Sequence, residues 1–295
     1  MKKLIAIIFY VLVYLSLNAQ DTVKADTAWK FGGQFVFTIS QTNFKDWAAG
    51  GQNSFAANGR LGLFANYAKG KTSWENNLDM AYGLSKQENQ KDLRKNDDLL
   101  ELNSKYGFKA ADKLYYSAML NAKTQFSEGR KYLEGDTSFN VVSNFASPLY
   151  INFAVGIDYK PTKYTSVFLS PVNSKLIYVN DTALATLNSL EAGERLRYEL
   201  GFIAKMQYQR DVLKNVSLMS KLDLFADYLH FESLKDVFLN WEVLINLKVF
   251  KALSVNLNTN LIWDNKVKSI NKDGTLGDPK LQFKEIFGAG LSYQF

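Results

Sequence analysis

The stretch RLRYELGFIAKMQY, residues 195–208, decides the fold. Leu196, Tyr198, Leu200, Phe202, Ala204, Met206 and Tyr208 fall on one side of an extended chain. Arg195, Arg197, Glu199, Lys205 and Gln207 fall on the other, because successive strand side chains alternate faces. A soluble sheet would turn the first set inward. Whether this chain does so is answered by how often the pattern recurs and how the copies are joined.

Eleven further segments alternate in the same way: Trp29 to Ile39, Phe55 to Tyr67, Trp74 to Leu84, Leu100 to Phe108, Leu114 to Phe126, Leu149 to Tyr159, a short and weak Tyr164 to Leu169, Val216 to Tyr228, Leu239 to Phe250, Leu253 to Trp263 and Leu281 to Phe295. Any one signal is weak, but the sum predicts an all-β chain of twelve strands. Short turns at 69–72, 110–113, 160–163, 209–215 and 251–252 alternate with longer pieces at 43–53, 86–98, 127–147, 170–194, 229–237 and 265–280. That alternation puts all short turns at one end of a sheet and all long loops at the other. The expected fold is therefore a twelve-stranded antiparallel transmembrane β-barrel with short periplasmic turns and long extracellular loops.

About ten residues per strand at ~3.3 Å each, tilted by roughly 40°, rise about 25 Å, the height of an outer-membrane apolar band. Aromatic residues gather where that band would end, such as Trp29, Tyr67, Trp74 and Tyr293 at one rim and Tyr198, Trp241 and Trp263 at the other. An apolar interior would leave a wide void in a barrel about 24 Å across. With the apolar face outward, Arg60, Glu75, Asp79, Glu101, Lys105, Lys123, Asp158, Arg197, Glu199, Lys205, Lys221, Asp223, Glu242 and Lys248 line the lumen. Turned to lipid, each charge near the midplane would cost up to about 2–4 kcal/mol, together more than a fold's whole stability. Glu285 alone falls on the lipid face, and is expected at headgroup level or in a bulge.

The chain opens MKKLIAIIFYVLVYLSLNAQ, the layout of a secretory signal peptide over 1–19 with a cut after Ala19 and a periplasmic tail over 20–28. The barrel is expected over 29–295. The leading apolar run is too short for a membrane helix, which needs ~20 residues, and no other run approaches that length. There is no cysteine, hence no disulfide framework and no thiol for lipidation. A net charge of +6 spread without a basic block argues against nucleic-acid binding.

Several stretches, NFKDWAAGGQNS (43–54), SNFASPLY (143–150), GIDYKPTKYTSVFLSP (156–171) and KLIYVND (175–181), together resemble a family of uncharacterised Gram-negative outer-membrane β-barrel proteins known as a domain of unknown function. The resemblance spans most of the chain after the leader and implies location and architecture, with no activity attached. Trp47, Gly50 and Gly51 read most simply as a tight loop, Gly-Gly being ordinary turn chemistry. The alternative has Trp47 anchoring the first long loop inside the mouth. The ending GAGLSYQF, with Leu291, Tyr293 and Phe295 on the lipid face, resembles the terminal-strand signal that the barrel-insertion machinery recognises.

Chemistry has little to work with. His230 is the only histidine, and lying three residues from Asp227 it is expected on the opposite strand face, as a solvated loop residue and not a hydrolase base. One histidine and no cysteine remove the usual zinc and copper sites; NKDGTLGD (271–278) has oxygen ligands but lacks the spacing and closing Glu of a calcium loop, so it reads as an exposed turn with surface calcium as the alternative, and no cofactor is expected. A hydrolase that uses His230 is the third-ranked function, behind two others. One is a narrow channel or transporter for small polar solutes, mildly anion-preferring because lumen cations outnumber carboxylates. The other is a closed structural or adaptor barrel docking an envelope or secretion partner. Outer-membrane lipid is the surrounding partner in both.

Overall fold

The computed structural model describes residues 28–43, 53–88, 90–133, 138–250, 252–271 and 275–295. The leader 1–19, the tail apart from Ala28, and the Trp47–Gly51 stretch lie outside the described residues. Twelve strands close into an antiparallel barrel. The chain passes through β1 (Trp29–Thr42), β2 (Ser54–Lys69), β3 (Thr72–Gln87), β4 (Arg94–Ala111) and β5 (Leu114–Thr124). A side hairpin of β6 (Gly129–Tyr132) and β7 (Phe139–Ser143) precedes β8 (Leu149–Thr162), β9 (Thr165–Tyr178), β10 (Leu196–Leu213), β11 (Val216–Asp227), β12 (Phe238–Lys248) and β13 (Leu253–Trp263). A second side hairpin, β14 (Ser269–Ile270) with β15 (Leu276–Gly277), leads to β16 (Gln282–Gln294), which pairs back onto β1.

Two-residue turns join β2 to β3, β4 to β5, β8 to β9 and β10 to β11, and residues 249–252 join β12 to β13. Gly70, Lys113 and Asn215 hold φ of 59°, 62° and 72° in these turns, the left-handed geometry that lets two residues reverse a twisted hairpin. The other connections, among them 125–148, 179–195 and 264–281, lie at the opposite rim. Strands also run past the ends expected from alternation. β4 begins at Arg94 and β10 continues to Leu213, five residues beyond Tyr208. Backbone pairing persists beyond the apolar band, where no lipid demands an apolar face.

The weak segment after Tyr164 is a full strand. Expected to end at Leu169, β9 runs to Tyr178. Its register slips against both neighbours, between Val155 and Ile157 on β8 and between Gly201 and Ile203 on β10. The Ser170–Pro171–Val172 bulge so formed flips the phase, so that Phe168 and then Asn173 and Lys175 are buried while Leu169 and Val172 are exposed. Proline, which has no N–H to give a ladder, is tolerated at such a bulge. The Ser170 hydroxyl donates to the Val155 carbonyl (2.7 Å) or the Val172 carbonyl (2.8 Å) and accepts from the Val172 N–H (3.1 Å).

The opening stretch settles which face is which. Tyr198 is 56 % exposed on the outside while its neighbour Glu199 is 2 % exposed within. Phe31, Tyr116, Phe153, Val155, Phe287 and Leu291 are likewise exposed on the outer wall. A closed barrel wearing such a belt is stable only in a bilayer, so this is an outer-membrane β-barrel. Trp29 packs against Phe31, Tyr67 and Trp74 with ring centroids 5.3–5.7 Å apart, an aromatic girdle at the short-turn rim. Glu285 stands on the outer wall between exposed Phe283 and Phe287. The β13–β16 ladder runs through Thr259↔Glu285 without irregularity, so no bulge accounts for it.

Closure depends on β1 and β16. They share six residue pairs, Gln34↔Gln294 to Ile39↔Ala289, the shortest ladder in the barrel. Gly33 and Phe295 then exchange backbone hydrogen bonds of 2.9 and 3.1 Å. A Cβ at Gly33 would lie 2.7 Å from the Phe295 ring and 2.8 Å from the Gly62 carbonyl oxygen, so the terminal aromatic seats because position 33 has no side chain. Gly33→Val should weaken the seam by about 1–3 kcal/mol of overpacking. The check is heat-modifiability electrophoresis: the compact folded band should convert at lower temperature than in the parent, and an unchanged conversion temperature contradicts this role for the glycine.

Candidate functional site: the charged lumen

The lumen is layered from rim to rim. Near the short turns, cross-strand neighbours Glu75 and Lys105 meet at 3.3 Å. Lys105 also reaches Asp158 at 2.7 Å, and Lys160 bonds Glu75 and lies 3.5 Å from Asp158. Asp158 is 1 % exposed and further accepts from the Ser166 hydroxyl at 2.6 Å. Two carboxylates and two ammonium groups thus share one corner of the lumen.

At mid-height the ion pairs cross the barrel. Arg60 on β2 holds Glu242 on β12 at 2.6 Å and approaches Asp79 on β3 at 4.0 Å, while Lys221 on β11 holds Asp79 at 2.9 Å. β3 and β11 are diametrically opposite in the strand order. A lysine and an aspartate cannot span the ~24 Å of a circular twelve-strand barrel. The wall is therefore drawn in along this diameter, and the bore is narrower than strand number alone implies. Lys284 and Asp97 make another crossing at 2.7 Å, and Lys205 pairs with Asp223 at 2.8 Å along the wall.

Toward the long loops, Glu199 receives Lys175 (3.2 Å), Arg197 (3.2 Å) and Lys266 (2.7 Å), and Lys266 also holds Asp227 at 2.6 Å. Arg197 donates to the carbonyls of Asn188 (2.6 Å) and Ser189 (3.1 Å), tying the 179–195 connection to the wall. Val179, Leu184, Ala185 and Leu190 of that connection pack with Ile177 of β9 into a small core of their own. In the neighbouring connection, the Glu232 and Ser233 amides hold the Asp236 carboxyl below its usual range, and its other oxygen accepts from Asn265 at 2.6 Å.

Neutral groups complete the walls. Amides of Asn103, Asn121, Asn152 and Asn173 chain across β4, β5, β8 and β9 at 2.8–3.2 Å. Glu101 accepts from Asn103 (3.2 Å) and Asn121 (2.8 Å), and Lys248 donates to Gln294 (2.7 Å) at the short-turn rim. One wall is apolar: Met119, Ala154, Phe168, Ile203 and Phe225 are buried together, with Phe238 packed on them. Three spaces adjoin inside. A vestibule of about 880 Å³ lies behind the short turns, a central chamber of about 230 Å³ shares Glu75, Asn77, Ser166 and Gln207 with it, and a chamber of about 210 Å³ beyond shares Lys123 and Lys205 with the central one.

The structure pairs the charged residues expected in the lumen in ways that spacing does not reveal. Arg60, Asp79, Lys221 and Glu242 form one constellation; Glu75, Lys105 and Asp158 form another, with Lys160 added. Lys160, Lys175 and Lys266 fall in stretches expected to be turn or loop. Their only sequence signal is a cation on the lumen side of an interrupted alternation. The apolar wall was signalled by Phe225, an aromatic on the same face as Asp223 and Asp227. One expectation is overturned: His230 and Asp227 are not on opposite faces. β11 ends at Asp227, the chain turns, and His230 Nδ1 lies 2.7 Å from the Asp227 carboxylate. Among the described residues no serine joins this pair and no group of three metal-ligating side chains assembles. Within the 271–278 stretch, residues 272–274 lie outside the described residues.

Residues 39–129, less than half of the chain, match the model of the family described as "Protein of unknown function (DUF3078)". No curated protein matches the sequence. Among solved structures, the translocator domain of the autotransporter NalP from Neisseria meningitidis is similar at 12 % identity and a TM-score of 0.41, covering 96 % of this chain and 92 % of that one. The COG4313 outer-membrane channel from Pseudomonas putida F1 is similar at 11 % identity and 0.40, covering 94 % and 98 %. The toluene transporter TodX of P. putida stands at 11 % and 0.29, covering 92 % and 90 %. Barrels this loosely alike need share no chemistry.

The Asp79–Lys221 pair gives a direct energetic test. Asp79→Asn should lower stability by about 1–3 kcal/mol, because Lys221 loses its charged partner. Combined with Lys221→Met, the double variant should recover part of the loss, with a coupling of about 0.5–3 kcal/mol. Denaturant unfolding in lipid vesicles measures both, and strictly additive effects would contradict a cross-lumen pair.

Proposed function

We propose that the barrel is a narrow outer-membrane passage for small polar solutes, mildly favouring anions. The carrying observation is that adjoining water-sized spaces inside the barrel are divided by side chains: Glu75, Asn77, Ser166 and Gln207 stand between the vestibule and the central chamber, and Arg60, Lys221 and Glu242 line the central one. Such a barrier can rearrange without unfolding the wall. The short turns are taken as periplasmic and the long loops as extracellular. The vestibule then faces the periplasm, lined by Lys109, Lys113, Lys160, Lys163 and Arg210 against Glu75, Asp112 and Asp211, and that excess supports the anion preference. Residues 1–19 serve as the export leader, and Leu291, Tyr293 and Phe295 as the insertion signal. A second reading, a closed barrel that docks an envelope partner, is favoured by the packed core of the 179–195 connection, which Arg197 ties to the wall.

Planar-bilayer recording separates the two. Folded protein should show small, anion-biased conductance. Replacing both Asp79 and Lys221 with alanine should raise it severalfold by removing a cross-bore pair. Silence from both proteins would discard the passage and leave the closed barrel.

A further inference from the structure

We infer that the chamber nearest the long-loop rim is a binding subsite for a small uncharged molecule: an apolar body about one aromatic ring in size, bearing a single neutral hydrogen-bonding group such as a hydroxyl. Its space is about 210 Å³. An apolar cavity of about 150 Å³ is known to accept benzene, so a ring and one small substituent fit here. The walls suit the ring. Ile203, Phe225, Phe238 and Ile262 line the chamber, on lumen positions where a barrel built only to carry water and ions would be polar. Covering them with an apolar guest is favourable because it removes their surface from water.

The charges around the chamber balance, so nothing in it favours a charged guest. Its ammonium groups, on Lys123, Lys175 and Lys205, are equalled by the carboxylates of Glu101, Asp223 and Asp264. Lys123 stands opposite Glu101 across the β4–β5 ladder, and Lys205 meets Asp223 at 2.8 Å. Lys175 reaches Glu199 at 3.2 Å and lies 4.9 and 5.1 Å from the Phe225 and Phe238 ring centroids, while Asp264 accepts from the backbone N–H of Lys266 at 2.9 Å. An ion of either sign would give up its hydration here without gaining an unmatched counter-charge. Among the neutral polar side chains, Asn121 and Asn152 belong to the amide chain along the wall, Asn240 accepts from Asn260 at 2.9 Å, and Gln282 is exposed. Tyr150 differs. It lines the chamber with its ring packed against the core of the 179–195 connection, and its hydroxyl has no hydrogen-bond partner among the described residues. A phenol hydroxyl can both donate and accept, so beside apolar walls it is the complement of one neutral polar group on an apolar body.

This goes beyond the passage reading, and its test does not depend on conduction. Full-length folded protein in detergent is titrated at neutral pH with p-cresol, toluene, benzoate and benzylamine, with binding followed by ligand-observed NMR. Partition into the micelle does not saturate and is the same for every variant, so only the saturable part counts. p-Cresol should saturate, with benzoate and benzylamine, which carry opposite charges, each about tenfold weaker or more. Tyr150→Phe should weaken p-cresol roughly threefold to tenfold and leave toluene unchanged, the signature of one neutral hydrogen bond. Ile262→Trp, which fills the chamber, should abolish saturable binding of both; Tyr150→Phe carries the test alone if the larger side chain prevents folding. Binding of p-cresol no tighter than of its charged analogues, or indifferent to Tyr150→Phe, overturns the subsite. Saturable, Tyr150-dependent binding by a barrel that passes no current would keep the subsite and discard the passage; conduction without such binding would do the reverse.

Discussion

Lipid offers no hydrogen bond, and from that everything else follows. Each backbone N–H and C=O within the bilayer must find a partner in the protein, so the sheet has to close, and its outer face has to be apolar. Closure falls to the shortest ladder, between β1 and β16, and is finished by the reciprocal bonds of Gly33 and Phe295. The same requirement turns ionisable side chains inward. Once there, they are crowded into a bore in which unpaired charges would repel or stand desolvated.

The lumen resolves that crowding in two ways. Most charges pair, and because partners come from distant strands, such as Asp79 with Lys221, pairing draws opposite walls together. Elsewhere the charge is simply omitted, and β5, β8, β9, β10 and β11 present Met119, Ala154, Phe168, Ile203 and Phe225 to the interior. An ionic barrier thus stands beside an apolar wall.

Much of this was legible in the chain. Alternation with period two gave the strands, their even number and the outward face, because lipid enforces the pattern along the whole span. It failed where lipid's demand lapses or the phase slips. Arg94 to Leu99 and Gln209 to Leu213 extend their strands outside the apolar band, where pairing needs no alternation. At Ser170–Pro171–Val172 the bulge inverted the phase and hid Lys175 inside an apparent loop. Three-residue spacing misplaced His230 because it assumed that the strand continued past Asp227. Individual lumen residues could be listed from sequence, but not which of them meet across the bore. Partners as distant as Arg60 and Glu242 are set by barrel order and flattening, which no local pattern records.

The central claim is the inversion of faces, and the lack of cysteine makes it simple to test. Single variants Leu200→Cys and Gln207→Cys would each carry a nitroxide label in reconstituted membranes, with collision rates measured by electron paramagnetic resonance against oxygen, which concentrates in lipid, and a water-soluble nickel chelate. The label at 200 should respond to oxygen and the label at 207 to nickel. The reverse pattern, or nickel access at both positions, would contradict the account.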